Sequence, residues 1–96
     1  MLLLATAASM ACPAFAQAPD EAKAFARATR DYDEGNYGPA REAFQQLVDA
    51  GSRNPAVFLN LGHADYRLGR NVEAAINYRR ALALDPSDAA ARRSLE

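Results

Sequence analysis

Apolar residues recur along this chain at the intervals of a helix and not at the alternation of a strand. Ala74, Tyr78, Ala81 and Leu82 fall at i, i+4, i+7 and i+8, and Phe58, Leu61 and Leu68 share a second stripe with Gly62 beside it. Helix breakers divide these stripes at regular distances. Asp20, just after Pro19, is placed to cap a first helix that ends near Glu34, and Gly35 stops it. Gly38-Pro39 opens a second helix, where proline in the first turn sacrifices no hydrogen bond, and Gly51 closes it. Asn54-Pro55 opens a third helix in the same way, and Gly69 ends it. Asn71 is placed to cap a fourth, which runs to about Leu84 before Asp85-Pro86. Ser87 is placed to cap a short fifth helix that reaches toward Glu96. The expectation is an all-α protein in which Phe58, Leu61 and Tyr78 are buried between the third and fourth helices. Small Gly62 and Ala74 should let those two helix axes approach closely.

The pattern repeats. A shift of 34 residues superimposes Asp31 on Asp65, Tyr32 on Tyr66 and Gly35 on Gly69, without a gap. The same shift places Ala40 on Ala74, Phe44 on Tyr78 and Ala28 on Gly62. Self-similarity at this period is the mark of stacked helical hairpins, each of which covers the apolar face of its neighbour.

Pro55 to Pro86 resembles a tetratricopeptide repeat. The segment Phe58-Leu59-Asn60-Leu61-Gly62 is similar to that family's W/F-x-x-L-G opening. Tyr66 and Leu68-Gly69-Arg70 are similar to the end of its first helix and its turn, and Ala74, Tyr78, Ala81 and Leu84-Asp85-Pro86 to its second helix. Glu21 to Asn54 is a weaker copy: Ala28, Gly35, Ala40, Phe44 and Leu47 fit, whereas Ala24 and Arg27 stand where large apolar residues belong. Both copies depart from the pattern at Asp31 and Asp65, where the family usually has Tyr or another large residue. That leaves open how each first helix packs against the next repeat. The resemblance implies two tandem hairpins of a right-handed α-solenoid, degenerate over residues 17–54 and well formed over 55–88, with the start of a capping helix at 89–96. The order of elements is also similar, more weakly, to envelope repeat subunits of aerotolerance (Bat) type.

Composition fits a single small helical domain: 96 residues, half of them hydrophobic and a quarter charged, with no Trp. The net charge of −1 offers no field to attract nucleic acid or anionic lipid. Residues 17–50 carry four basic and seven acidic side chains, and residues 51–96 carry seven basic and five acidic ones. The N-terminus has a different composition. Met1 to Ala11 is uncharged and contains Leu2, Leu3 and Leu4, and Ala14-Phe15-Ala16 follows. A short apolar run before an A-x-A site predicts a secretory signal peptide over residues 1–16, cleaved before Gln17, and a periplasmic or otherwise exported product. The run is too short to span a bilayer, so no membrane span is expected in the mature chain. Ser9 stands three places before Cys12, where a lipidation box wants Leu. Cleavage after Ala16 would remove the one cysteine, and with it any disulfide or thiol nucleophile.

No catalytic, cofactor or metal site is expected. His63, the one histidine, has no second His and no mature Cys at ligand spacing. Asp31, Asp33 and Glu34 cluster at a helix end without the D-x-D-x-D-G order of a calcium loop. There is no Gly-rich phosphate loop and no nucleophile elbow. Arg79-Arg80 and Arg92-Arg93 lack the interleaved aromatic residues of a nucleic-acid surface, so no nucleic acid is expected as a partner.

The resemblance does imply a binding face, since in that family the first helix of each hairpin lines a concave groove. The matching positions are Phe25, Thr29, Tyr32 and Asp33 in the first repeat and Leu59, His63, Tyr66 and Arg67 in the second. Aromatic platforms with an Arg able to hold a carboxylate suit a peptide. One variant of the fold grips a C-terminal carboxylate with Lys, Asn and Arg. Here Asn60 matches its central Asn, but Phe25, Thr29, Ala90 and Ser94 replace the rest, so that clamp is not expected. The functional expectation is an exported module that binds a protein or peptide. The alternative is a structural scaffold segment of a longer envelope protein. Self-association is a further possibility, because two repeats and a short cap should leave the outer side of the fourth helix uncovered.

Overall fold

The computed structural model describes residues 13–96, with side chains from Asp20 onward. Five helices follow one another: α1 (Pro13–Asp33), α2 (Tyr37–Asp49), α3 (Pro55–Arg67), α4 (Asn71–Leu84) and α5 (Ala89–Ser94). No strand occurs among the described residues. α1 packs on α2 and α3 on α4 as two tandem hairpins. The seam between the hairpins is formed by α2 against α3, and α5 lies on α4. The predicted leader falls largely on residues 1–12, outside the described residues, while the expected cleavage site falls within α1.

The turns use one device three times. Gly35, Gly51 and Gly69 have φ of 84°, 99° and 79°, a left-handed conformation that a side chain disfavours. That conformation aims the next amide back at the helix: Asn36 N–H donates to the Asp31 carbonyl at 2.8 Å and Arg70 N–H to the Asp65 carbonyl at 2.8 Å. The expected Asn54 cap is present, its side chain accepting from Ala56 N–H at 2.9 Å with Pro55 behind it.

Three caps differ from the sequence reading. Helix α1 continues upstream of Pro19, so Asp20 is an exposed interior residue, in keeping with the helix-favouring Ala-rich stretch before it. Arg70, not Asn71, occupies the N-cap of α4 and makes no side-chain cap bond. Asp88, not Ser87, caps α5 by accepting from Ala91 N–H at 3.1 Å, while the Ser87 hydroxyl donates to Asp85 at 2.6 Å. The longer Asp side chain reaches the open first turn, and Ser87 is taken up by the turn before it.

The core lies in two parts with α3 between them. Phe44, Ala28, Ala40, Leu47, Val57 and Leu61 form the larger cluster, and Phe25 meets Phe44 edge-on with ring centres 5.7 Å apart. Leu61 is fully buried, but in this seam between hairpins and not inside the second hairpin, where the sequence reading put it. Phe58 faces the other way, onto Ala81 and Ala91, so α5 covers part of α4. Leu68 is exposed, because the stripe that includes Phe58 and Leu61 runs past the end of α3, where Leu68 is the C-cap. At Gly62 a Cβ would lie 2.6 Å from Tyr78 Cε1 and 3.2 Å from the Ala74 carbonyl oxygen. The Tyr78 ring therefore rests directly on the glycine backbone, and a side chain at position 62 must displace that ring or the helix that carries it.

Asp65 answers the question left open by the sequence. It is buried, yet its carboxylate accepts from Arg41 Nε at 2.7 Å and from Asn77 Nδ2 at 2.9 Å, with Arg70 Nε at 3.3 Å. An acidic residue replaces the large side chain of the usual pattern, and one carboxylate ties α2, α3 and α4 together. Asp31, half-buried at the edge of the first hairpin, forms no ion pair among the described residues.

Candidate functional site

The face shared by α1 and α3 carries a row of aromatic rings. Tyr37 stands edge-on to Tyr32 with centres 5.0 Å apart, Tyr32 is 6.5 Å from His63, and His63 is 5.4 Å from Tyr78. These rings come from α2, α1, α3 and α4 in turn. Tyr32 is the second residue from the end of α1, and His63 lies on the same side of α3 as Arg67, one turn later.

Arg67 locks the row at one end. Its Nε donates to the Tyr32 hydroxyl at 3.2 Å, and its guanidinium carbon lies 5.3 Å from the Tyr37 ring centre and 6.0 Å from that of Tyr32. The contact with the Tyr32 hydroxyl strengthens its hold on its proton, so Arg67 is a fixed cation in an exposed position.

At the other end, His63 Nδ1 and the Tyr78 hydroxyl are 2.9 Å apart. Burial lowers the His63 pKa below its ordinary 6.5, Arg67 adds repulsion to the cation, and Asp88 partly opposes both. Burial also pushes the Tyr78 phenol up, so it remains protonated as a bonding partner. The consequence for stability has a definite sign. The folded chain binds fewer protons than the unfolded one, so stability is complete above pH 6.5 and declines as the pH falls from there toward the lowered folded value. With a single histidine in the chain, a thermal midpoint measured from pH 7.5 to 5.5 should fall, and His63→Gln should flatten that part of the profile. An unchanged slope in the variant would assign the loss to the carboxylates.

The candidate residues border more than one recess, with His63 common to two of them. Thr29, Tyr32, Asp33 and His63 line one recess of about 140 Å³, together with Phe44 and Asn60. His63 and Tyr66 line a second, more open recess with Tyr78, Ser94 and Leu95. Arg67 bridges toward the first recess through Tyr32. Phe25 is partly buried on the first core cluster and Leu59 on the second. Tyr66 is 63 % exposed, the most open of the aromatic candidates.

Three contributors lay outside the sequence reading. Tyr37 lies just before the Gly38-Pro39 signal, and only the hairpin brings it to Tyr32. Asn60 was legible as a match to a different binding mode. Tyr78 reads as core, which it is, but its hydroxyl reaches the surface row.

Residues 55–88 match the tetratricopeptide repeat family model. The matched segment is the α3–α4 hairpin with its exit turn, which supports the resemblance drawn from Phe58, Gly62, Ala74, Tyr78 and Pro86. Tetratricopeptide repeats are in general protein–protein interaction modules, and the architecture of tandem helical hairpins agrees with that family's all-α fold. No curated protein matches the chain, and the resemblance to aerotolerance-type subunits gains nothing from the comparisons. Among the described residues, no group of three or more His, Cys, Asp and Glu side chains could hold a metal ion, and no helix is long and apolar enough to cross a membrane.

Proposed function

We propose that this chain is an exported docking module that holds a peptide segment of another protein along the α1/α3 face. The observation that carries the reading is Arg67, an exposed cation fixed by Tyr32 of the other hairpin and stacked on Tyr37. Holding a long side chain in one place before binding removes part of the entropy cost of recognition. Exposed Tyr66 beside it adds a rigid aromatic surface of the kind that dominates binding energy at interfaces.

The test is a pair of substitutions. Tyr66→Ala with Arg67→Ala should abolish capture of the partner from envelope extract, a loss of at least about tenfold in affinity. Both side chains are exposed, so helicity by circular dichroism and the melting temperature should change little. Capture that survives the double variant would place the site elsewhere.

Export rests on the leader-like composition of Met1 to Ala16. Mass spectrometry of the native protein should find Gln17 at the N-terminus, whereas a product that begins at Met1 would remove this part of the proposal.

A second reading, a stacking segment, has one observation behind it. Val72 is 71 % exposed and Ile76 43 % exposed, one turn apart on α4. An apolar strip of this kind is suited to self-association.

A further inference from the structure

We propose that α4 pairs antiparallel with α4 of a second copy of this chain, about a two-fold axis beside Ile76. The proposal rests on the self-association reading above and names its face, its occupant and its orientation. It is independent of docking on the α1/α3 face.

One side of α4 is buried and the other is open. Ala74, Asn77, Tyr78 and Ala81 are buried, whereas Val72, Glu73, Ile76, Arg79, Arg80 and Ala83 are all exposed. At 3.6 residues per turn these six share a single arc of about 120°. Val72, Ile76 and Ala83 run down its middle, Glu73 and Arg80 lie along one edge, and Arg79 lies along the other. The first hairpin shows that the repeat does not require apolar residues here. A shift of 34 residues puts Gly38 at the position of Val72, Glu42 at that of Ile76 and Asp49 at that of Ala83, all on α2. The same arc that is polar on α2 is therefore apolar at its centre on α4.

The charges indicate what covers it. Glu73 and Arg80 are seven residues apart on one edge, with Ile76 between them along the helix. In an antiparallel pair each edge of a helix runs along the same edge of its partner in reverse. The axis that sets Ile76 beside Ile76 of the second copy thus sets Glu73 against Arg80 of the second copy, and Arg80 against its Glu73. The face is complementary to itself. Arg80 forms no ion pair among the described residues, and Glu73 meets only Arg70, at 3.7 Å between exposed side chains. Val72 falls near Ala83 of the second copy and the apolar stem of its Arg79. A net charge of −1 sets no bulk repulsion between copies. A contact along one helix of 14 residues, about 21 Å long, is smaller than the roughly 1,200 Å² of stable specific interfaces, so the pairing is weak and depends on concentration.

Sedimentation equilibrium of the full chain should show the average mass rising from the monomer toward twice that value between about 10 µM and 1 mM. Ile76→Asp should weaken the pairing at least about tenfold. Its helicity and its melting temperature in dilute solution should change little, because the position is exposed. Glu73→Arg and Arg80→Glu should each weaken it about tenfold, since like charges then meet at both contacts. An equimolar mixture of these two variants should recover the pairing to within about threefold of the native chain, because their heterodimer has opposite charges at both contacts. A monomer at every concentration would overturn the proposal together with the self-association reading. Association that Ile76→Asp leaves unmoved, or that the mixture of charge variants fails to restore, would overturn the antiparallel α4 pair and leave self-association through another face standing.

Discussion

Phe44→Ala should unfold this protein or bring it close to unfolding. Phe44 is fully buried at the centre of the larger core cluster, with Ala28, Ala40 and Leu47 on its own hairpin and Val57 and Leu61 from the next. Truncating a buried Phe costs about 3–5 kcal/mol, through lost transfer energy and the cavity left behind. Total stability for a domain of this kind is about 5–15 kcal/mol. Collapse of the surroundings offers little relief, since Phe44 is also the edge-on support for Phe25. With a urea slope of roughly 1–1.5 kcal/mol/M, the midpoint should fall by about 2–5 M. A fall of under about 0.5 M would mean that the seam between the hairpins is not where the stability resides.

Asp65→Ala should cost about 2–4 kcal/mol, nearly as much, although it removes no large apolar side chain. Asp65 is 1 % exposed and bonded to Arg41 and Asn77. Its two arginine partners retain water, with side chains 25 % and 42 % exposed, so they lose less than fully buried ions would. Asn77 is the costly member. It is 5 % exposed, its Oδ1 is already unpaired, and without Asp65 its Nδ2 would be unpaired too. Asp65→Asn, which keeps an acceptor but not the charge, should be milder. A double-mutant cycle with Asn77→Ala separates this account from simple loss of packing. The double variant should be more stable than the sum of the two single effects predicts, by roughly 1 kcal/mol or more. Strict additivity would show that the carboxylate and the amide do not depend on each other.

These two experiments probe different origins of the same seam. Phe44 joins the hairpins by apolar burial, and the Arg41–Asp65 pair joins α2 to α3 by a directional bond that sets their relative position. That position brings Tyr32 and Tyr37 of the first hairpin within reach of His63 and Arg67 of the second. A variant that loosens the seam should therefore lose partner capture at temperatures where its helices are still intact.

Much of the architecture was legible in the residues. The 34-residue register, Gly35, Gly51 and Gly69 and the Asn54-Pro55 start determine where helices begin and stop, because local backbone preference and a missing N–H act over a few residues. The spacing of Ala28, Ala40, Phe44, Gly62, Ala74, Tyr78 and Ala81 likewise marks the buried faces, since each helix must cover its apolar stripe. The tertiary structure decided what depends on two elements meeting. It put Leu61 with Phe44 instead of Tyr78, because α3 lies between two partners and periodicity does not say which stripe faces which. It converted Asp65 from an unexplained departure into the junction of three helices, because Arg41 lies 24 residues away in sequence and 2.7 Å away in space. It packed Phe25 and Leu59 partly against the two core clusters and set Tyr37 and Asn60 beside other candidate residues, since a side chain's surroundings depend on the element packed against it. Charge and hydropathy are carried by single residues and can be read along the chain, whereas a pocket is a relation between helices and exists only after they pack.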